Sequence, residues 1–132
     1  MASPIFGRQW AFVFVAVVAL SACHRLSDAG RGITLRHEID PWSAHQGGAL
    51  LSFQLADAQA SPVSRAQVSV EGDMTHPGMA PTFSDARETA PGSYQARVNF
   101  TMGGDWVLLL HVTLADGRKF ERQLDVKGVE VR

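Results

Sequence analysis

Three methionines and one histidine are the residues of this sequence best suited to chemistry. Met74, His76 and Met79 fall within six positions, in Gly72-Asp-Met-Thr-His-Pro-Gly-Met-Ala-Pro81, and Met102 stands just before Gly103-Gly104. Apart from the initiator, these are all the methionines of the chain. Thioether sulfur and neutral imidazole are soft donors that suit Cu(I) and suit Mg²⁺ or Ca²⁺ badly. Outside the cytosol they also hold copper without the disulfide chemistry that cysteine brings. Met74 and His76 lie two apart, so extended backbone projects them to one side, and the Pro77-Gly78 bend can carry Met79 back toward them. Three ligands from one loop, joined by Met102 from a neighbouring turn, make a Cu(I) site. The competing reading is packing, because methionine fills irregular apolar gaps and His76 is then an ordinary loop histidine. Ligands would sit exposed around His76, whereas plugs would lie buried below it. His24, His37, His45 and His111 read as structural or solvated, with His45 the strongest of them as an additional ligand.

Short strands must position these residues. Pro77, Gly78 and Pro81 keep the methionine stretch out of any hydrogen-bonded ladder, which makes it a loop. Around it the apolar period is two, and turn residues punctuate the chain about every ten positions. Seven strands are expected, over residues 33–39, 50–55, 63–70, 82–89, 93–100, 106–114 and 118–126. In the first, alternation puts Ile33, Leu35, His37 and Ile39 on the core side, and Pro41 with Gly47-Gly48 ends the run. The fifth alternates cleanly, with Tyr94, Ala96, Val98 and Phe100 sharing a face. The sixth is apolar on both faces in its first half and reads as a central strand with Trp106 toward the core. Asp116-Gly117 is a hairpin signal. Asp73 and Asp105 read as solvated turn residues. The expected fold is an all-β, immunoglobulin-like antiparallel sandwich of about seven strands.

Composition narrows the function classes. The chain has 132 residues, 45% hydrophobic and 19% charged, with a formal net charge of −1. That balance suits one globular domain and gives no basic surface for nucleic acid. A single cysteine, Cys23, excludes internal disulfides, CxxC redox pairs and zinc–cysteine clusters. Nor does the chain carry GxSxG, HExxH or a glycine-rich phosphate loop, so neither catalysis nor a small-molecule substrate is expected.

The first 22 residues read as an address. Arg8 precedes the apolar run of residues 11–20, which is long enough for a signal-peptide core and short of the roughly 20 residues that span a bilayer. Leu20-Ser21-Ala22-Cys23 resembles the lipobox of bacterial lipoproteins, in which cleavage precedes the cysteine and its thiol is lipidated. The alternative is an ordinary secretory signal cleaved near Ala22, leaving an unpaired thiol. Lipidation removes that liability and anchors the protein. His24 in place of aspartate after the cysteine favours, by the same resemblance, the outer over the inner membrane. Residues 23–32, with Ser27, Gly30 and Gly32, read as a flexible tether ahead of a domain over 33–132. The mature chain carries a net charge of −2, since Arg8 alone is lost among the ionised side chains.

Met74-Thr-His-Pro-Gly-Met79, followed by Gly92-Ser-Tyr-Gln-Ala-Arg-Val-Asn-Phe-Thr-Met-Gly-Gly-Asp-Trp106, resembles the YtkA-like/FixH-like family of small bacterial envelope proteins. The resemblance covers roughly residues 33–126. Its specific part is a Gly-x-Tyr-x-Ala strand leading into Met-x-Gly-x-Trp, with a methionine-bearing loop upstream. That loop reads Met-Thr-His-Pro-Gly-Met here, where the commoner spacing is Met-Pro-x-Met. The resemblance implies an immunoglobulin-like sandwich and a place in copper handling or respiratory oxidase assembly. Two functions are therefore in contest. One is a lipid-anchored, periplasm-facing copper module with an envelope protein or copper acceptor as partner; the other is a metal-free module that docks on an envelope complex.

Overall fold

The computed structural model describes residues 30–40 and 47–130. The leader, Cys23, His24 and His45 lie outside the described residues. Where the sequence alternates, the chain forms strands: β1 (Thr34–Asp40), β2 (Gly47–Ala56), β3 (Gln67–Met74), β4 (Thr82–Asp85), β5 (Arg87–Ala90), β6 (Ser93–Phe100), β7 (Gly104–Thr113) and β8 (Lys119–Val129). They make two four-stranded antiparallel sheets, ordered β1-β2-β6-β5 and β4-β3-β7-β8. The described residues contain no helix.

One face of each sheet is apolar and the two close on each other. Leu51, Phe53, Tyr94 and Phe100 from the first sheet meet Trp106, Leu108, Leu110 and Phe120 from the second, all buried. Each such side chain contributes about 1.5–3 kcal/mol by leaving water. Phe53 stacks on Tyr94 at 5.4 Å, and Phe100 meets Trp106 edge-on at 5.4 Å. Residues 93–100 form the expected strand to the residue, Trp106 points into the core, and β7 is central, between β3 and β8. The core of the described residues is drawn from Ile39 to Val129, so residues 30–130 contain all of it.

Four expectations need correction. The sandwich has eight strands rather than seven, because residues 82–89 divide at Ala86, whose N–H donates to Val68 O at 2.9 Å. Before Ala86 the chain pairs with β3, and after it with β6, so it changes sheets. The third strand starts at Gln67 instead of residue 63. Residues 63–66 are held elsewhere, Val63 N–H by Leu55 O and Ala66 N–H by the Tyr94 hydroxyl. The second strand starts at Gly47 instead of residue 50, with Gly47 and Gly48 opposite Phe100 and Asn99 at the start of the β2–β6 ladder. His37 is exposed, because β1 is an edge strand and the space beside it opens between Ile39 and the β8 residues Asp125, Val126 and Lys127.

Residues 30–33, at the end of the segment read as tether and the start of the domain, lie against β8. Arg122 donates to the carbonyls of Gly30 at 2.7 Å and Ile33 at 3.1 Å, while its guanidinium lies 4.7 Å from the Phe120 ring centre. A β-carbon on Gly30 would lie 2.8 Å from both Phe120 and Arg122, so the backbone is pressed against the start of β8.

Candidate functional site

The methionines gather at one end of the sandwich because β3 ends where β7 begins. Met74 closes β3 and sits opposite Trp106. Just beyond it, the backbone N–H and hydroxyl of Thr75 both reach the Asp105 carbonyl, at 3.1 and 3.2 Å. The turn between β6 and β7 is held by Trp106, whose indole N–H donates to Met102 O at 3.0 Å. The Thr82 hydroxyl lies 3.3 Å from Asn99 O, tying the far side of the methionine loop to the end of β6. The two ends of the loop 75–81 are thereby tied to the ends of β6 and β7, next to the turn that carries Met102.

Asp105 is a clasp rather than a solvated turn residue. Its carboxylate accepts the Gly128 N–H at 3.0 Å and Lys127 Nζ at 3.3 Å. These bonds, the Gly128 one first, hold its acidity below the ordinary carboxylate range. Gly104 is needed beside it: its φ is +126°, and a β-carbon would fall 2.9 Å from Met74 Cε. Only glycine takes that backbone freely while leaving the thioether its place.

The four candidate ligands divide into two kinds. Met79 and Met102 are 39% and 46% exposed, and His76 is exposed without a hydrogen bond or ion pair among the described residues. Met74 is half-buried and packs on the core. The structure therefore sets Met74 against Gly104 and leaves Met102, His76 and Met79 open in the neighbouring turn and loop. Met74 serves partly as packing, while Met79 and Met102 are not buried plugs. Among the described residues no three His, Cys, Asp or Glu side chains gather as a metal site, and the thioethers are the soft donors present.

Register shows what alternation along one strand did not. His111 stands on the outer face of β7 between two carboxylates, with Nε2 2.8 Å from Glu71 and Nδ1 2.9 Å from Glu121. Both ring nitrogens face acceptors, so the geometry calls for the doubly protonated ring, and the Glu71 bond foremost raises the His111 pKa. Its outward position was legible, but its partners come from β3 and β8. Tyr94 likewise gave no polar signal. Its hydroxyl donates to Val63 O at 2.7 Å and accepts from Ala66 N–H at 3.1 Å, and burial raises its pKa.

Two antiparallel sheets over one apolar core, with loops clustered at the ends, define an immunoglobulin-like β-sandwich, here with thioethers exposed at one end. The model of the YtkA-like family matches residues 33–111, and the chain belongs to that family. Among solved structures the chain is similar to murine CRIg at 13% identity and a TM-score of 0.40, over 76% of this chain and 98% of that one. No curated protein matches the sequence.

Proposed function

We propose that this protein is a copper-binding module, not an enzyme, that holds Cu(I) at Met74, His76, Met79 and Met102. The observation that carries the reading is the exposure of Met79 and Met102 beside an unpartnered His76, on a backbone pinned at Thr75 and Trp106. A domain with this core has no packing need to leave two thioethers in solvent, and their softness matches Cu(I). Copper handling, including supply to a respiratory oxidase, is the role the family resemblance suggests.

The proposal includes a lipid on Cys23, a periplasm-facing position and preference for the outer membrane. Gly30 packs against Phe120 and Arg122 at the start of β8, whereas the methionines lie at the start of β7. Those are opposite ends, so an anchor on Cys23 leaves the thioethers directed away from the membrane, toward a copper acceptor in the periplasm. Replacing Cys23 with serine should release the protein from the membrane fraction and abolish the mass increase from acyl chains; an unchanged fraction and mass would reject lipidation.

The test of the site is a Cu(I) competition titration of residues 30–130 against a chromogenic chelator, repeated for His76→Ala and Met79→Leu. The wild-type domain should hold one copper and each variant should hold it more weakly. If wild type loses copper to a weak chelator, or both variants match it, the copper reading fails and the metal-free docking module replaces it.

A further inference from the structure

Phe83 is 66% exposed, the most exposed of the large hydrophobic side chains described. Copper chemistry does not account for it, since a phenyl ring is no ligand. In β3 and β6 the large apolar residues point inward, whereas β4 turns Thr82 and Ser84 toward the core and presents Phe83 to solvent. The reversal gives the outer face of the second sheet an aromatic centre. Register sets Phe83 beside Glu71, and Glu71 beside Leu109, in one cross-strand row, with Asp73 and Val107 paired in the next. Val107 and Leu109 are only half-buried.

Charge marks this face as well. Glu71, Asp73, Asp85, Glu121 and Asp125 share it with Lys119 and His111, so carboxylates prevail even with His111 protonated. The outer face of the first sheet is different. Arg36, Arg87 and Arg97 outnumber Glu38 and Asp40 there, and none of the large exposed hydrophobics lies on it. An apolar aromatic centre with a charged rim in which one sign prevails is the anatomy of a docking patch, and charge complementarity selects its occupant.

We infer that the outer face of the β4-β3-β7-β8 sheet docks a lysine- or arginine-rich surface of another protein, with Phe83 as the apolar anchor. The rim carboxylates steer the approach, so association weakens as salt rises. The inference stands apart from the copper reading, because Phe83 and the carboxylates hold their places without metal.

The experiment uses metal-free residues 30–130 and two synthetic peptides of equal length, one alternating lysine with valine and one alternating glutamate with valine. Amide NMR shifts are followed at low and at physiological salt. The lysine peptide should move resonances around Phe83, Glu71 and Leu109 and leave the arginine-bearing face unmoved. Phe83→Ser, at an exposed site that the fold tolerates, should weaken binding about tenfold, as loss of an aromatic anchor does. The pair Asp73→Asn and Asp85→Asn should lower affinity further and flatten the salt dependence. Shifts scattered over both faces, equal binding of the glutamate peptide, or indifference to Phe83→Ser would overturn the proposal. So would concentration-dependent shifts on this face without peptide, which would mean that a second copy is the occupant.

Discussion

The two ends of the sandwich are built on opposite plans. At the end where the chain enters, side chains are spent on backbone. Tyr94 ties Val63 and Ala66, the Glu88 carboxylate accepts the Arg65 N–H at 2.7 Å, and Asp57 caps its own turn through the N–H groups of Gln59 and Ser61. The Arg65 bond foremost keeps Glu88 more acidic than usual. Gly92, at φ +76°, is pressed so closely that a β-carbon would lie 2.6 Å from Pro62. At the methionine end the backbone is also pinned, through Asp105 and the Trp106 indole, yet Met79, Met102 and His76 are left free of it. The difference separates rigidity from closure. A fixed backbone with projecting soft donors is what a preorganised metal site requires, and among the described residues no thioether lies at the latched end.

Substitutions can break that comparison, and Trp106 has the largest expected effect. Trp106→Ala removes a buried ring, its edge contact with Phe100 and the donor to Met102 O, and should cost about 3–5 kcal/mol in urea unfolding. At the other end Tyr94→Phe deletes only the hydroxyl, stranding Val63 O and Ala66 N–H. It should cost about 1–3 kcal/mol by the same measurement while leaving Cu(I) affinity at the wild-type value. Met79→Leu with Met102→Leu should do the reverse: unfolding within about 0.5 kcal/mol of wild type, as for exposed sites, and copper binding lost in the chelator assay.

The smallest effect concerns pH. His111 is more basic in the fold than its ordinary 6.5, through Glu71 first and then Glu121. Its contribution is therefore full below 6.5 and is lost as pH rises through the higher folded value. Urea midpoints should fall as pH rises through that step, and Glu71→Gln should shrink the fall. The effect is small because the histidine side chain is 37% exposed and solvent screens the pair. An unchanged midpoint across the step would remove His111 from the account.

How much of this was legible in the sequence follows from the range of each interaction. Alternation from Tyr94 to Phe100 reports one strand's two faces, so β6 and the inward Trp106 were readable from local pattern. The change of sheets at Ala86 was not, because β4 and β5 are short, polar edge strands without a buried stripe to mark a break. His37 kept the parity expected of it, but an edge position decides exposure, and edges depend on strand order. At the methionine end the residue types named the candidate chemistry, and Pro77 and Gly78 marked a loop. The contact of Met74 with Gly104 and the Asp105 clasp depend on the β3–β7 register, which no local spacing encodes.

The central claim is that copper is held by thioethers at one end of the domain. Methionine-methyl NMR of residues 30–130, with Cu(I) added in substoichiometric steps, reads it residue by residue, since Met74, Met79 and Met102 are the methionines present. All three methyl signals should shift together and saturate at one copper per chain, while the Leu55 and Val63 methyls at the latched end stay fixed. Methionine signals that do not move, or that move no more than the methyls of the latched end, would contradict it.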